Sequence, residues 1–309
     1  GGPPCQGMSL SGDRDPNDPR NSLFMDFLRI ADDSAFSYIV FENVVGILSM
    51  RTAKGELVKS IIASEAQKCG YLMKDWTLDA SEYGVPQSRE RVFFVGRRTD
   101  SGVIKDPLRF DKIWSVRDAI SDLPQVKSGE GVESCVYPSE PSNDYQKWAR
   151  AGSDFVLNHV AMKHTPRLIE RFKLIGPGKS VDSVPEEHGQ RKRGDATTVS
   201  GKSFSQNNYR VVADRPCPTV AASFQSNFIH PFLDRNFTAR EAARIQSFPD
   251  RYVFMGKRTK MSWEKGLSQY QQIGNSVPPP LARAIALGLK ERIIADRIGA
   301  PEDCFPPFL

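Results

Sequence analysis

The N-terminal part of the chain alternates between helix-like and strand-like spacings of apolar side chains. Leucine and phenylalanine recur at helical spacing over residues 23–28, which predicts a helix from about Asn21. Residues 36–44 form a short aromatic and β-branched run that is typical of a buried strand. A second helical pattern ends at Gly70, and two strand-like runs joined by a polar loop follow it. This order predicts an open α/β sheet with a hairpin at one edge.

The pattern becomes irregular after Arg98 and regular again towards the C-terminus. Residues 106–234 are rich in Pro, Gly, Ser and Asn and contain only short apolar runs, which predicts an irregular, β-rich second domain. Thr238 with Glu241 three residues later predicts a capped helix. A long apolar run of helical periodicity follows the prolines at 278–280 and predicts a long C-terminal helix.

Composition narrows the class of protein. With 309 residues, 39% of them apolar and 26% charged, the chain can bury a large core and does not resemble a disordered protein. No apolar run approaches the roughly 18 residues that a membrane span needs. The five cysteines are scattered without any CxxC pair, so we expect neither a metal site nor a disulfide framework.

The net charge is only mildly positive, with 42 Lys and Arg against 37 Asp and Glu. The excess is concentrated over residues 163–193, which hold eight basic and four acidic side chains. On charge alone a solvated surface is the simpler interpretation, and a stretch that faces phosphates is the alternative. The sequence "GPGKS" at 176–180 lacks the spacing of a phosphate-binding loop and is interpreted as a turn.

Four short stretches carry candidate chemistry, although each has a structural explanation when taken singly. They are "PPCQG" at 3–7, "FENV" at 41–44, "QSRER" at 87–91 and "IGNSVPPPLARAI" at 273–285. Alone they are compatible with a turn and buried thiol, a salt-bridged carboxylate, solvated arginines and a helix start. In this order, and with "TAREAARIQSFPD" at 238–250, they closely resemble the DNA (cytosine-5)-methyltransferase family. The resemblance covers nearly the whole chain and is weakest between about 100 and 190.

The resemblance implies an α/β fold. It consists of a Rossmann-like, S-adenosylmethionine-dependent methyltransferase sheet with a smaller, irregular, β-rich target-recognition domain. We therefore expect a catalytic domain at 1–125 and 271–309 and a target-recognition domain at 126–270.

The Phe-x-Gly-x-Gly loop that opens this fold in the family has no counterpart in the sequence. We therefore expect the sheet to be incomplete at the N-terminus. A missing N-terminal half would be supplied by the same gene or by a separate subunit, and the chain alone would bind the methyl donor poorly and turn over little. A permuted chain is excluded because the C-terminal tail is too short to hold the early motifs.

The family's chemistry assigns roles to four side chains. C5 of cytosine is a poor nucleophile until a thiolate adds to C6, and the resemblance gives this attack to Cys5. Glu42 would hold the proton at N3 that the ring then needs. Arg89 and Arg91 would hold the pyrimidine O2 and nearby phosphate or carboxylate groups.

The family also implies sites for the methyl donor and for DNA. Asn275 and Ser276 would bind S-adenosylmethionine, with Pro4 and Leu23 lining the other side. The polar segment 6–20 resembles a lid that closes over an extruded cytosine. The candidate DNA contacts on the lid and in the recognition domain are Gln6, Ser9, Ser11, Arg20, Thr219 and Gln225.

The expected function is therefore methyl transfer to C5 of cytosine in a specific duplex DNA sequence, in a bacterial or phage restriction-modification system. We expect a cytoplasmic, nucleoid-associated enzyme. An RNA (tRNA) cytosine-5 methyltransferase is the nearest alternative, and the sizeable middle region favours DNA. A non-catalytic DNA-recognition subunit is the other alternative, and the intact Cys5, Glu42 and Arg91 favour an enzyme.

Overall fold

The computed structural model divides the chain into two compact units. Unit 1 consists of Gly1–Tyr83, Glu90–Arg109 and Leu281–Leu309, and unit 2 consists of Gly84–Arg89 and Phe110–Pro280. The structure describes residues 1–3, 23–52, 54–99, 101–192, 195–199, 207–260 and 263–298.

Unit 1 is built on a three-stranded antiparallel sheet with helices packed against it. Its strands lie in the order β1–β3–β2, so β2 and β3 form the predicted hairpin at the edge. Its helices and strands up to Arg109 are α1 (Leu23–Asp33), β1 (Tyr38–Asn43), α2 (Val58–Lys68), β2 (Tyr71–Asp79) and β3 (Glu90–Arg98). The α/β sheet that the apolar pattern predicts is thus confirmed.

The core of unit 1 follows directly from the apolar spacing. Helix α1 buries Phe24 and Leu28 one turn apart, and alternate residues of β1 point inward. Phe41 of β1 stacks on Phe94 of β3 with ring centroids 4.8 Å apart. Gly70 ends α2 with a φ of +78°, a left-handed conformation that glycine adopts without strain.

Unit 2 is irregular, as predicted, and its strands are short. Strands β4 and β5 pair antiparallel, as do β6 and β7, whereas β8 and β9 pair parallel. Its elements are α3 (Val116–Ile120), β4 (Gly131–Cys135), α4 (Asp144–Arg150), β5 (Val156–Val160), α5 (Pro166–Leu174), β6 (Arg191–Lys192), β7 (Asp195–Val199), β8 (Tyr209–Arg210), β9 (Phe228–Ile229), α6 (Ala239–Ile245) and α7 (Gln269–Asn275). Three of the five short helices, α3, α4 and α5, lie within residues 106–234, where the irregular apolar pattern did not indicate helices. The "GPGKS" segment is a turn, as expected.

Helix α6 is buried along its entire length and organises the core of unit 2. Thr238 and Glu241 form the predicted capping box. Glu241 also accepts two hydrogen bonds from Arg235, at 2.7 and 2.8 Å. Burial raises the pKa of Glu241, but the charge and hydrogen bonds of Arg235 outweigh it and hold that pKa well below its usual range.

Two further buried arginines on α6 are also paired. Arg244 bonds both carboxylate oxygens of Asp250 and contacts Asp122, and Arg240 lies 3.4 Å from Asp250. The guanidinium groups that the helix carries into the core are therefore satisfied by carboxylates and, for Arg240, also by the carbonyls of Leu157 and Tyr252.

The C-terminal helix α8 (Pro279–Ile298) begins at the predicted prolines and lies mostly in unit 1. Asp296 accepts a hydrogen bond from the Tyr38 hydroxyl on β1 and one from Arg292 Nε at 2.8 Å. Burial and the contact with Asp296 raise the pKa of Tyr38 to about 12. The bond from Tyr38 ties α8 to β1, and the bond from Arg292 holds Asp296 in place within α8.

Candidate active site

The C-terminal end of β1 carries an ion pair between Glu42 and Arg91. Glu42 lies opposite Phe93 in the antiparallel register, so Arg91, two residues along β3, projects from the same face of the sheet. Arg91 Nε donates to Glu42 Oε1 at 2.9 Å, and both side chains are largely buried. Burial lowers the pKa of the Arg91 guanidinium, and the charge of Glu42 opposes this. The sheet thus fixes the orientation of the Glu42 carboxyl group.

The segment Gly1–Pro3 lies along β1 beside this carboxyl group. The Gly1 amine donates to the Val40 carbonyl at 2.6 Å, and the Gly1 carbonyl accepts from the Glu42 amide at 2.9 Å, which is the bonding pattern of a parallel pair. A Cβ built on Gly2 would lie 4.0 Å from Glu42 Oε2. Asn43 Nδ2 donates to the Pro3 carbonyl at 3.4 Å. The chain therefore leaves Pro3 near the end of β1 that carries Glu42.

Six predicted site residues lie outside the described residues. The predicted nucleophile, Cys5, is one of them. The other five are Pro4, Gln6, Ser9, Ser11 and Arg20.

Arg89 is two positions from Arg91 but belongs to unit 2, where it is only 2% exposed. Its guanidinium donates to the Val220 carbonyl at 2.8 Å and to the carbonyls of Gly274 and Ser276 at 3.0 and 3.3 Å. The two terminal nitrogens are thus turned toward main-chain oxygens of two distant segments.

Two buried glutamines, which the sequence reasoning missed, extend this polar cluster. Gln87 Oε1 accepts from the Val220 amide at 2.8 Å, and Gln87 Nε2 donates to Gln246 Oε1. Gln246 Nε2 in turn donates to the Ser276 carbonyl at 2.7 Å. Both glutamines are fully buried. The signal available in the sequence was a glutamine inside each of two quoted stretches, "QSRER" and "TAREAARIQSFPD".

Gly274 brings two backbone segments of unit 2 unusually close together. A Cβ at this position would lie 2.4 Å from the Ala221 carbonyl carbon and oxygen and 2.6 Å from the Ala222 amide nitrogen. Only glycine permits this approach. Together with Arg89, Gln87 and Gln246, it joins the stretches at 87–89, 219–222, 245–246 and 274–276 into one cluster, the motif junction.

The two predicted DNA contacts in unit 2 are both described. Thr219 is half-buried, and its hydroxyl donates to the Ser88 carbonyl at 3.0 Å. Gln225 lies in the 3-10 turn Phe224–Ser226, and its buried Oε1 accepts no hydrogen bond from the described residues. The structure thus assigns the Thr219 hydroxyl an internal partner and leaves one Gln225 acceptor unused in the part of the chain that it describes.

The predicted residues of the methyl-donor site have different environments. Asn275 ends α7 with an exposed side chain that makes no hydrogen bond to the residues described here. Ser276 is half-buried, and its hydroxyl donates to the Ile273 carbonyl at 2.6 Å. Leu23 is the half-buried first residue of α1 in unit 1. An exposed amide at Asn275 fits a ligand that needs both a donor and an acceptor.

Neither a metal cluster nor a membrane helix is found in the described part of the chain. No group of three or more His, Cys, Asp or Glu residues there is placed to hold a metal ion. None of the described helices is long and apolar enough to cross a bilayer.

Comparison with known proteins gives consistent matches along the chain. A family model described as C-5 cytosine-specific DNA methylase matches residues 1–291. Type II methyltransferase M.DdeI of Desulfomicrobium norvegicum is 59% identical over 292 residues, which cover 93% of this chain and 70% of that relative. Type II methyltransferase M1.HphI of Haemophilus parahaemolyticus is 32% identical over 290 residues, with 93% and 66% covered.

A solved structure shares the fold. A chain described as a DNA modification methyltransferase encoded within a prophage (E. coli) superposes with a TM-score of 0.68 at 23% identity. The match covers 95% of this chain and 78% of the other.

Proposed function

The chain belongs to the family of C-5 cytosine-specific DNA methylases, and from this premise we propose that it methylates C5 of cytosine within a specific duplex DNA sequence, using S-adenosylmethionine. The observation that carries the proposal is the Glu42–Arg91 pair beside Gly1–Pro3, because it aims a carboxyl group at the segment that leads into Cys5. Relatives named Type II methyltransferases support a place in a restriction-modification system. A cytoplasmic, nucleoid-associated location is part of the proposal, because the proposed substrate is duplex DNA.

Cys5 is the proposed nucleophile. Its thiolate adds to C6 of a cytosine that has been extruded from the duplex, and the electron pair of the C5–C6 double bond becomes available at C5. Bound S-adenosylmethionine would supply the methyl group that C5 takes up. A base then removes the C5 proton, the double bond re-forms and the Cys5 sulfur leaves.

Glu42 and Arg91 have coupled roles in this proposal. Arg91 engages Oε1 of Glu42, and Oε2 lies toward Gly2. The carboxyl group is thereby oriented to share a proton with N3 of the pyrimidine while Cys5 adds to the ring. Arg91 acts on the substrate through Glu42 and through its own remaining donors.

Arg89 receives a positioning role in place of the predicted contact with pyrimidine O2. Its terminal nitrogens donate to the carbonyls of Val220, Gly274 and Ser276, which supports a part in holding the motif junction together. In the sequence Arg89 and Arg91 look like one functional pair because they are only two residues apart. Their observed partners lie in different units.

For the methyl donor, the exposed amide of Asn275 is the residue that fits best. Ser276 is proposed to shape the site through its backbone, because its hydroxyl is already bonded within the protein. Leu23 and Pro4 remain predicted lining residues. The expectation of a missing N-terminal half, and of low turnover by the chain alone, is not carried into this proposal, because the comparisons give it no support.

Unit 2 is the proposed target-recognition region. Its main segment, Phe110–Pro280, contains the predicted domain 126–270 and extends beyond it at both ends. Gln225, with an unused acceptor, remains a candidate for contact with DNA. Thr219 is proposed to support DNA recognition indirectly, because its hydroxyl bonds the Ser88 carbonyl and stabilises the backbone there.

Transfer of a tritiated methyl group tests the function directly. The full chain is incubated with labelled S-adenosylmethionine and, in separate reactions, bacterial genomic duplex DNA and bulk tRNA. The proposal predicts label at C5 of cytosine in the DNA and background counts in the tRNA. Label in tRNA alone would support the RNA alternative. Label in neither, with both nucleic acids bound, would support a recognition subunit without chemistry.

A further inference from the structure

Arg171 in unit 2 differs from four other buried arginines of this unit, whereas Arg89, like Arg171, bonds backbone carbonyls. Four arginines in this unit are at most 6% exposed and bond a carboxylate: Arg210, Arg235, Arg240 and Arg244. Arg171 on α5 is buried to a similar degree, at 7% exposed, but has no ion pair with any described residue. A buried guanidinium without a carboxylate is costly unless other acceptors replace it.

The acceptors that hold Arg171 are neutral. Its Nε and one terminal nitrogen donate to the carbonyls of His188 and Gly189 at 2.6 and 2.7 Å, and the other terminal nitrogen donates to Asn208 Oδ1 at 3.2 Å. These bonds fix the group but leave its positive charge uncompensated.

Two more guanidiniums lie close to this buried charge. Arg167, one turn earlier on α5, donates to the same Gly189 carbonyl at 3.1 Å. Arg191 on β6 donates to the Glu187 carbonyl at 3.1 Å. Burial, and then the charges of Arg167 and Arg191, lower the pKa of Arg171. The positive charges of Arg167, Arg171 and Arg191 thus lie near one another. Among the described residues, no carboxylate lies within 4 Å of the Arg167 or Arg171 guanidinium.

Arg167 presents this charge to solvent. Its side chain is exposed, and one bond to Gly189 leaves most of its five donors available. A planar guanidinium with parallel donors matches the geometry of a phosphate. An anion placed here would also relieve the mutual repulsion of the three charges.

We propose that Arg167, supported by Arg171 and Arg191, binds a backbone phosphate of the duplex DNA substrate. The inference rests on the proposed function and adds to it a contact that fixes the duplex on unit 2 without reading its sequence. It also favours the phosphate-facing interpretation of the basic segment 163–193 over that of a solvated surface.

The test measures equilibrium binding of the full chain to fluorescein-labelled 30-base-pair duplexes over a range of salt concentrations. Arg167→Gln should weaken binding about tenfold at low salt. It should also reduce the slope of log K against log salt by about 0.9. The loss should be equal on two duplexes of unrelated sequence, because phosphates carry no sequence information.

Two variants control for charge and for folding. Arg167→Lys retains the positive charge and should keep the wild-type slope. Arg251→Gln removes another exposed arginine of unit 2, which likewise donates to one carbonyl, that of Ala151 at 2.9 Å, and should bind as the wild type does. A slope for Arg167→Gln equal to that of Arg251→Gln, or a loss confined to one of the two duplexes, would overturn the phosphate contact alone. A wild-type chain that binds neither duplex would overturn the proposed function as well.

Discussion

At the scale of single residues, the Glu42–Arg91 pair is the best-defined part of the candidate active site. The carboxyl group is held by one strand and oriented by its neighbour, so its position depends on sheet register and not on a loop. A carboxyl group acting in proton transfer contributes about 10² to 10⁴ in rate.

Replacing the Glu42 carboxyl group with an amide removes its proton transfer without removing a side chain of that size from the fold. Glu42→Gln keeps the size of the side chain and an oxygen for Arg91, so we expect the fold and DNA binding to survive and kcat to fall about 10² to 10⁴-fold. Single-turnover methyl transfer measures the change. Glu90→Gln, an exposed carboxylate at the start of β3, is the matched control and should retain wild-type kcat. A Glu42→Gln enzyme as fast as this control would refute the role of Glu42.

His230 in unit 2 gives a prediction about pH and stability. It is buried against Glu241 and Arg235, with Arg210 and His159 also acting on it, and burial lowers its pKa to about 4. Nδ1 accepts from the Phe232 amide at 3.1 Å, and Nε2 lies 3.5 Å from Glu241, an arrangement that suits a neutral ring with its proton on Nε2.

The sign of the effect follows from proton binding. Below about pH 6.5 the unfolded chain protonates His230 while the folded chain does not, so the free energy of unfolding falls as the pH drops from 6.5 to 4. The loss approaches about 1 kcal/mol per pH unit for this residue. Urea denaturation at pH 7 and pH 5 should show a smaller pH dependence in His230→Gln than in the wild type. An unchanged pH dependence would show that the ring is already protonated or exposed.

At the scale of elements, the motif junction explains why stretches far apart in sequence have their particular residues. Gly274 has no space for a side chain against the Ala221–Ala222 peptide, whereas Arg89 and the two glutamines supply donors for the backbone groups around it. Unpaired backbone groups would be costly at such a buried crossing.

A single methyl group tests this packing. Gly274→Ala places a carbon within 3 Å of three backbone atoms, so we expect a loss of about 1 to 3 kcal/mol in the free energy of unfolding. Gly176→Ala is the control, because a Cβ there has no heavy atom within 4 Å and the φ of Gly176 is ordinary. Chemical denaturation measures both. Equal stability of the two variants would mean that the backbones at Gly274 separate at little cost.

At the scale of the whole molecule, features that depend on local sequence patterns could be predicted, whereas features that depend on tertiary contacts could not. The apolar periods located α1, β1 and α8, and the Thr238–Glu241 pair located the start of α6, because these signals are local. The family resemblance rested on short stretches in a fixed order. The family model confirms it over residues 1–291.

Features that depend on tertiary contacts were not predictable from pattern alone. Arg89 and Arg91 look equivalent in sequence, yet one is bonded to backbone carbonyls and the other to a carboxylate. The burial of Gln87 and Gln246 required several chain segments to meet. The helices of unit 2 are too short, at five to nine residues, to show a clear period.

The central claim is a transient bond between the Cys5 sulfur and C6 of cytosine. The most direct measurement uses genomic DNA in which 5-fluorocytosine replaces cytosine, because fluorine at C5 blocks the release of the enzyme after methyl transfer. In the presence of S-adenosylmethionine we predict a protein–DNA adduct that survives boiling in detergent, and we predict none with Cys5→Ser. A stable adduct formed by Cys5→Ser, or methylation of ordinary DNA by the wild type without any adduct on the fluorinated DNA, would contradict the account.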